Sequence, residues 1–415
     1  MAEGADKKYV IVGNGTAAAG CIEGIRSIDR SGSITVISSE PHHVYCRPLI
    51  SYYLEGKTDL EKMKYRDNGF YEGNGVSVLY GKRALSVDPA AKTVSLDSGE
   101  KLAYDELCVA AGSSPFVPPF KGLETVDKKF GFMTLDDALG LEKALTPETR
   151  VLIVGAGLIG LKCAEGILAR VKELTACDLA DRILSSILDQ DTAGTVQKHL
   201  EDRGIRFMLS DSVSEFRGNI AIMKSGAAVD FDVLVLAVGV RANSGLIKEA
   251  GGNVNRGIIV DYHMKTSLNS VYAAGDCAEG YDVTLGANRV LAIMPSAYTE
   301  GHTAGVNMAG GESVLNNEFP LNSIGFFGYH IMTAGSYTGE VTDLSDAGSV
   351  EKLYIKDGFL QGFIIAGRTE RAGIYTSLIR DRVPVTSVDL LSAGGHATNA
   401  VFPEAERRKR FGGVV

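Results

Sequence analysis

No apolar run in this chain approaches the roughly 18 residues that a bilayer-spanning helix needs. The longest candidates, such as Val233–Val240, break at glycine and arginine. The opening Met1-Ala-Glu-Gly-Ala-Asp-Lys-Lys lacks the apolar core of a secretory signal. Both absences predict no membrane span and a cytoplasmic location. Positive charge is also in short supply: 42 Lys and Arg face 51 Asp and Glu, a net charge of -9. That balance argues against nucleic acid as a partner, because phosphate binding needs clustered cations. Paired cysteines are missing as well. Cys21, Cys46, Cys108, Cys163, Cys177 and Cys277 form no Cys-x-x-Cys and no zinc-finger spacing. Scattered cysteines of this kind read as small buried hydrophobes. The 7 histidines show no metal spacing either, so no metal site is expected.

What is present points elsewhere. At about 100–200 residues per domain, 415 residues predict roughly two to four domains. A hydrophobic content of 45% and a charged content of 22% suit large buried cores. Tyr9–Val12 is a β-branched run leading into Gly13-Asn-Gly15-Thr-Ala-Ala18. A helical stretch follows to about Ser27, and Ser33–Ser38 alternates as a strand up to Glu40. The same pattern returns at Val151–Val154 and Gly155-Ala-Gly157-Leu-Ile-Gly160. There a helix runs to about Ala169, and a strand at Glu173–Cys177 ends at Asp178. Two β-α-β units of one design predict two Rossmann-like domains.

The chemistry of each fingerprint follows from its residue types. The first glycine permits the tight turn. The second removes a side chain so that backbone can approach a pyrophosphate. The third small residue, Ala18 or Gly160, lets helix and strand pack closely. Phosphate oxygens then meet free N–H groups at the positive end of a helix. Glu40 and Asp178 stand where a carboxylate accepts ribose hydroxyls, and Asp178 there favours NADH over NADPH. Arg182 nearby leaves NADPH open, because an arginine can accommodate the extra phosphate.

Further along, Ser270-Val-Tyr-Ala-Ala274 precedes Gly275-Asp276. Ala110-Ala111-Gly112 and Ala237-Val238-Gly239 end two more strands. With these segments the chain resembles the pyridine nucleotide–disulfide oxidoreductase superfamily. Tyr45-Cys-Arg47-Pro48-Leu-Ile-Ser51 resembles in particular the branch of rubredoxin reductases and nitrite-reductase-type NADH oxidoreductases. The resemblance implies FAD on the first fingerprint and NADH on the second. It implies Asp276 beside the FAD ribityl chain, Arg47 and Pro48 bordering the FAD, and the backbone of Gly81–Ala84 at its adenine. Ala111, Gly112 and Gly239 mark the crossings between domains. The implied fold is α/β, with two glutathione-reductase-type Rossmann domains. The FAD domain is split over 1–114 and 243–318, and the NAD domain is inserted at 115–242. A small C-terminal α+β domain and tail follow at 319–415, with a hairpin turn at Lys356-Asp357-Gly358. Leu321–Gly328 either packs a core or lies over the flavin. Glu404–Arg410 reads as a solvated end or a docking patch.

Two positions depart from the family pattern. Tyr52 stands where many members have lysine. Lys162 stands where most have a glutamate beside the flavin–nicotinamide junction. Lys162 is therefore a candidate catalytic residue that would raise the flavin potential, or it simply points to solvent. Disulfide reductases of the superfamily use a cysteine pair beside the flavin, and this chain has none in that region. The single-cysteine position of the oxidase and peroxidase branch aligns with Pro48, not Cys46. The resemblance thus implies a protein electron acceptor, iron–sulfur or rubredoxin-like, with a homodimer or a larger complex left open. NADH oxidase or peroxidase activity and a non-catalytic NADH-responsive flavoprotein are the alternatives.

Overall fold

The computed structural model describes residues 7–385 and Arg408. Most of the tail expectation at Glu404–Arg410 lies outside the described residues. Two compact units emerge. One comprises residues 7–280 with Met294–Val314; the other comprises Tyr281–Ile293 with the described chain from Leu315.

The first unit holds two parallel five-stranded sheets that share the order of four strands; the fifth, an edge strand, comes last in the chain in the first sheet and first in the chain in the second. The first runs, in spatial order, Val271–Ala273, Glu106–Val109, Lys8–Val12, Ser33–Ser38, Val76–Tyr80. Its central strand pairs Val10 with Thr35 on one side and Leu107 on the other. The second runs Ile205–Met208, Glu173–Cys177, Arg150–Val154, Val233–Leu236, Lys129–Phe130. Here Leu152 pairs with Thr175 and with Leu234. The central strands are near-continuous apolar runs because helices and loops cover both faces of a parallel sheet. Val233–Leu236 is buried at every position. Each sheet carries an antiparallel three-stranded meander, Ala84–Ala103 and Val213–Asp230. The edge strand Val271–Ala273 returns to the first sheet only after the second sheet is complete, so the second is inserted in the first. Where the chain crosses, Ser113–Pro115 and Val240–Ala242 pair as an antiparallel ribbon. Ser114-Pro115-Phe-Val-Pro118-Pro119, whose prolines predict a linker between the two domains, thus begins as strand.

The fingerprint helix Thr16–Ile28 packs backbone-to-backbone on the helix Met294–Met308. A Cβ on Gly301 would lie 2.0 Å from the Ala17 carbonyl oxygen, and one on Gly305 2.1 Å from that of Cys21. Gly20 and Gly24 make the reciprocal approach to Tyr298 and His302. No helix among the described residues is long and apolar enough to cross a membrane.

The second unit is an antiparallel sheet in the order Leu321–Phe326, Tyr329–Gly335, Phe359–Ala366, Val350–Lys356, Glu340–Asp343. Helix Ala372–Arg380 places Tyr375 and Ile379 in a core with Leu353 and Phe363. Asp357 and Gly358 both take positive φ in the predicted hairpin turn. Phe326 is fully buried at the end of its strand, in agreement with the core-packing reading of that segment.

Candidate functional site

Gly13 has φ +112, and a Cβ there would sit 2.0 Å from the Ala110 carbonyl oxygen. Only glycine fits that corner. Gly15, by contrast, has nothing within 4 Å of a built Cβ and caps the helix Thr16–Ile28 without a side-chain hydrogen bond. The first helical N–H groups thus have no side-chain cap and the space beside Gly15 is open, which fits a pyrophosphate. Ala18 is fully buried under this turn. Asn14, between the glycines, accepts from the Tyr71 hydroxyl at 2.6 Å and donates to the His42 carbonyl at 3.2 Å.

The second cradle repeats the arrangement. Gly155 has φ +114, with its built Cβ 2.2 Å from the Ala237 carbonyl oxygen. Gly157 is open within 4 Å and caps Leu158–Ile167 without a side-chain bond. A Cβ on Gly160 would meet the Gly155 carbonyl oxygen at 2.0 Å. Asp178 closes this site from the side: it accepts from Ala156 N at 2.7 Å and from Ala180 N at 2.9 Å. Its charge is held beside the cradle by neutral amides that do not cancel it.

A polar clasp joins segment 40–53 to residues 133–142. Glu40 accepts from the Tyr45 hydroxyl at 2.8 Å and pairs with Arg47. Arg47 also donates to the Met133 carbonyl at 3.0 Å, and Leu135 N donates to the Tyr45 hydroxyl at 2.9 Å. Nearby, His42 Nε2 meets Asp136 Oδ1 at 2.8 Å, and the Tyr53 hydroxyl donates to Glu142 at 2.7 Å. Segment 40–53 is thus tied to the start of helix Leu135–Ala144, which carries a Thr134/Asp137 capping box. Pro48 opens a short helical turn, Arg47–Leu49, at this junction. The two departures from the family pattern meet here. Lys162 Nζ lies 4.7 Å from the Tyr52 ring centroid and pairs with Glu165 on its own helix. Its side chain is 19% exposed, so it does not simply point to solvent.

Gly275 has φ +78 and donates its N–H to the buried Glu300 at 2.7 Å. Asp276 accepts from the Ser113 hydroxyl at 3.0 Å. Burial pushes its carboxyl above the ordinary carboxylate range, against the Ser113 bond and the Arg47 charge. A carboxylate kept short of solvent and of partners is suited to a polar ligand. Gly112 has φ +65, and Asn243 brackets the crossing by donating to the Ala111 and Gly112 carbonyls at 2.8 and 3.0 Å. Gly239 has φ +110 with open space around it, and its carbonyl accepts from Phe116 N at 2.9 Å. Ala84 starts its strand at a register shift, after Lys82 N has bonded the Ser38 carbonyl at 2.9 Å. All six cysteines are free and five are buried. Cys46, the sixth, directs its thiol at Met294 Sδ, 3.6 Å away, and burial pushes that thiol up.

Sequence reasoning gave no role to Asn14, Tyr45, Ser113, Asn243 and Glu300. Asn14 and Tyr45 lay inside the sequence motifs, and Glu300 left a signal as a lone acid in a helix otherwise rich in small residues.

Two glycine cradles on successive parallel sheets define an FAD-containing NAD(P)H oxidoreductase. Residues 7–301 match the family model described as pyridine nucleotide-disulphide oxidoreductase, and the chain belongs to that family. The NADH-dependent phenylglyoxylate dehydrogenase subunit epsilon of Aromatoleum evansii is 29% identical over 91% of this chain and 93% of its own. The NADH oxidase of Methanocaldococcus jannaschii is 32% identical over 75% and 72%. The NADH-rubredoxin oxidoreductase of Clostridium acetobutylicum is 27% identical over 79% and 81%. The chain spans about half of another relative, the nitrite reductase [NAD(P)H] of Bacillus subtilis, covering 49% of its length. Among solved structures, putidaredoxin reductase in its covalent complex with putidaredoxin shares the fold. Its TM-score is 0.87 over 97% of both chains, at 21% identity.

Proposed function

We propose that this chain is an NADH:electron-carrier reductase, which passes electrons from NADH through FAD to a rubredoxin-like, ferredoxin or iron–sulfur protein. One observation carries the reading: the two cradles are open while no thiol pair is open to solvent. With five cysteines buried and Cys46 turned to Met294, a dithiol exit for the electrons is disfavoured. FAD held here would supply two-electron acceptance and one-electron release; the residues bind, orient and tune. In this reading Gly13, Gly15 and Ala18 cradle the FAD pyrophosphate, and Glu40 takes its ribose. Arg47, Pro48 and Ala84 border it, while Ala111, Gly112, Gly275 and Asp276 hold its central part. Gly155, Gly157, Gly160, Asp178 and Gly239 hold NADH. Lys162, ion-paired with Glu165, would place a compensated cation near the junction, and its charge would raise the flavin potential only as far as that pairing leaves it uncancelled. The FAD part is residues 1–114 and 243–318, the NADH part 115–242, and the third domain 319–415. The chain works in the cytoplasm, as a homodimer or as a subunit of a larger complex.

The 32% identical NADH oxidase keeps oxygen as a second acceptor to be tested. The experiment is anaerobic. NADH should bleach the flavin, and oxidised rubredoxin or a [2Fe–2S] ferredoxin should restore its colour within seconds. Restoration by air alone, with both carriers inert, would assign the oxidase reading. A flavin that NADH does not bleach would leave only a ligand-responsive role.

A further inference from the structure

We infer that Arg182 is a positioning residue of the NADH adenosine loop, withheld from any 2′-phosphate, and that the chain therefore discriminates against NADPH. The inference rests on the proposal that Asp178 faces the adenosine ribose.

NADH and NADPH differ by one phosphate. Reading it takes a cation or several free donors at the ribose, most often an arginine fork. The loop that follows the strand Glu173–Cys177 runs Asp178-Leu-Ala-Asp-Arg-Ile-Leu-Ser-Ser-Ile-Leu-Asp189, and Arg182 is its only basic residue. In sequence it looks like a phosphate reader. In the structure each of its nitrogens is committed within the loop. Nη1 donates to Asp181 Oδ1 at 2.9 Å, Nε to the Leu188 carbonyl at 3.2 Å, and Nη2 to the Ser185 carbonyl at 3.4 Å. These bonds fold residues 185–188 back onto 181.

The loop is also fastened to the cradle and to the neighbouring strand. Leu184, at φ +50, donates its N–H to the Ala156 carbonyl at 3.0 Å. Ser210 N donates to the Ala180 carbonyl at 2.8 Å, and Asp211 N to that of Asp178 at 3.1 Å. Swinging Arg182 outward would break its fork and release the turn that holds Ala156. What the loop offers at its open edge is the Asp178 carboxylate, the Leu179 side chain at 63% exposure, and Asp181 at 62%. The Asp178 carboxylate accepts ribose hydroxyls and repels a doubly charged phosphate, Leu179 covers a base, and Asp181, paired with Arg182, offsets the charge that would draw the phosphate in.

The test uses the flavin-loaded protein. Calorimetry would compare 5′-AMP with 2′,5′-ADP, and steady-state assays would compare NADH with NADPH. The native chain should prefer NADH by at least about 100-fold in kcat/KM and should not measurably bind 2′,5′-ADP. Arg182→Met should raise KM for NADH about ten-fold, with the loss falling on KM rather than kcat. Arg182→Lys should recover only part, because an ammonium cannot span the Leu188 and Ser185 carbonyls. Asp181→Asn keeps the loop's size and weakens the hold on the guanidinium, so 2′,5′-ADP binding should emerge; it serves if Arg182→Met does not fold. The inference is overturned if the native chain binds 2′,5′-ADP and Arg182→Met abolishes that binding while NADH kinetics stay unchanged. It is equally overturned if Asp181→Asn leaves 2′,5′-ADP binding undetectable. Failure of the underlying site reading looks different: Asp178→Ala would then leave the affinity for 5′-AMP and NADH untouched.

Discussion

Gly155 and Gly157 stand two residues apart and do different work. Gly155 is required by the chain itself, since its φ is +114 and a Cβ would collide with the Ala237 carbonyl oxygen. Gly157 meets nothing within 4 Å and has ordinary φ, so its missing side chain matters only to a ligand. Gly155→Ala should cost about 2–4 kcal/mol of unfolding free energy in urea titration. Gly157→Ala should shift Tm by less than about 2 °C while weakening NADH binding at least about ten-fold, measured by flavin reduction kinetics. Asp276 offers a similar separation. Its carboxyl is raised by burial, so the ionised form is a strain on the folded apoprotein. Asp276→Asn should keep or raise the Tm of the apoprotein and yet lower FAD affinity about ten-fold, read by flavin retention on a desalting column. Cys46→Ser should leave carrier reduction intact, because burial holds this thiol away from its reactive anion.

At the scale of elements, the first cradle depends on a helix pair. The helices Thr16–Ile28 and Met294–Met308 touch through glycines, so the position of the fingerprint turn is set by a contact almost 300 residues away in sequence. Gly301→Ala would drive a Cβ into the Ala17 carbonyl oxygen and displace the start of the fingerprint helix. We expect a loss of about 1–3 kcal/mol and reduced FAD retention together, checked by urea titration of protein with and without added FAD. The clasp from Glu40 through Tyr45 and Arg47 to Met133 and Leu135 belongs to the same scale. It joins the acid proposed for the FAD ribose to the helix that opens the second sheet's domain.

For the whole molecule, lowered carboxylates make stability depend on acid, Asp29 and Asp232 among them. Asp29 is pulled down to about 2, chiefly by the Gly32 N–H, and Asp232 is pulled down to about 2 by its bond with Arg150. Each is lowered in the folded chain from an ordinary value of 3.8. Their contribution is therefore present in full above that value and lost as pH falls toward about 2. Urea midpoints measured from pH 5 to pH 2 should fall across this window, and Asp232→Asn should flatten part of the decline. Asp276 runs in the opposite sense, its raised carboxyl costing stability as pH rises.

The local code was legible. β-branched runs, glycine turns and acids at strand ends specify β-α-β units through contacts within a few tens of residues. Strands Ser33–Ser38 and Glu173–Cys177 fall at their expected ends for that reason. The insertion of one domain in another was readable too, from the order of repeated motifs. What only tertiary structure decided is which residues, far apart in sequence, meet. Tyr52 meets Lys162, Ser113 meets Asp276, and Asn14 meets Tyr71. Arg182 is the clearest case. Its charge and position were plain in the chain, but whether its donors face a ligand or the loop's own carbonyls depends on how the backbone turns back at 184–188. That turn is set by a hydrogen bond to Ala156 in another element.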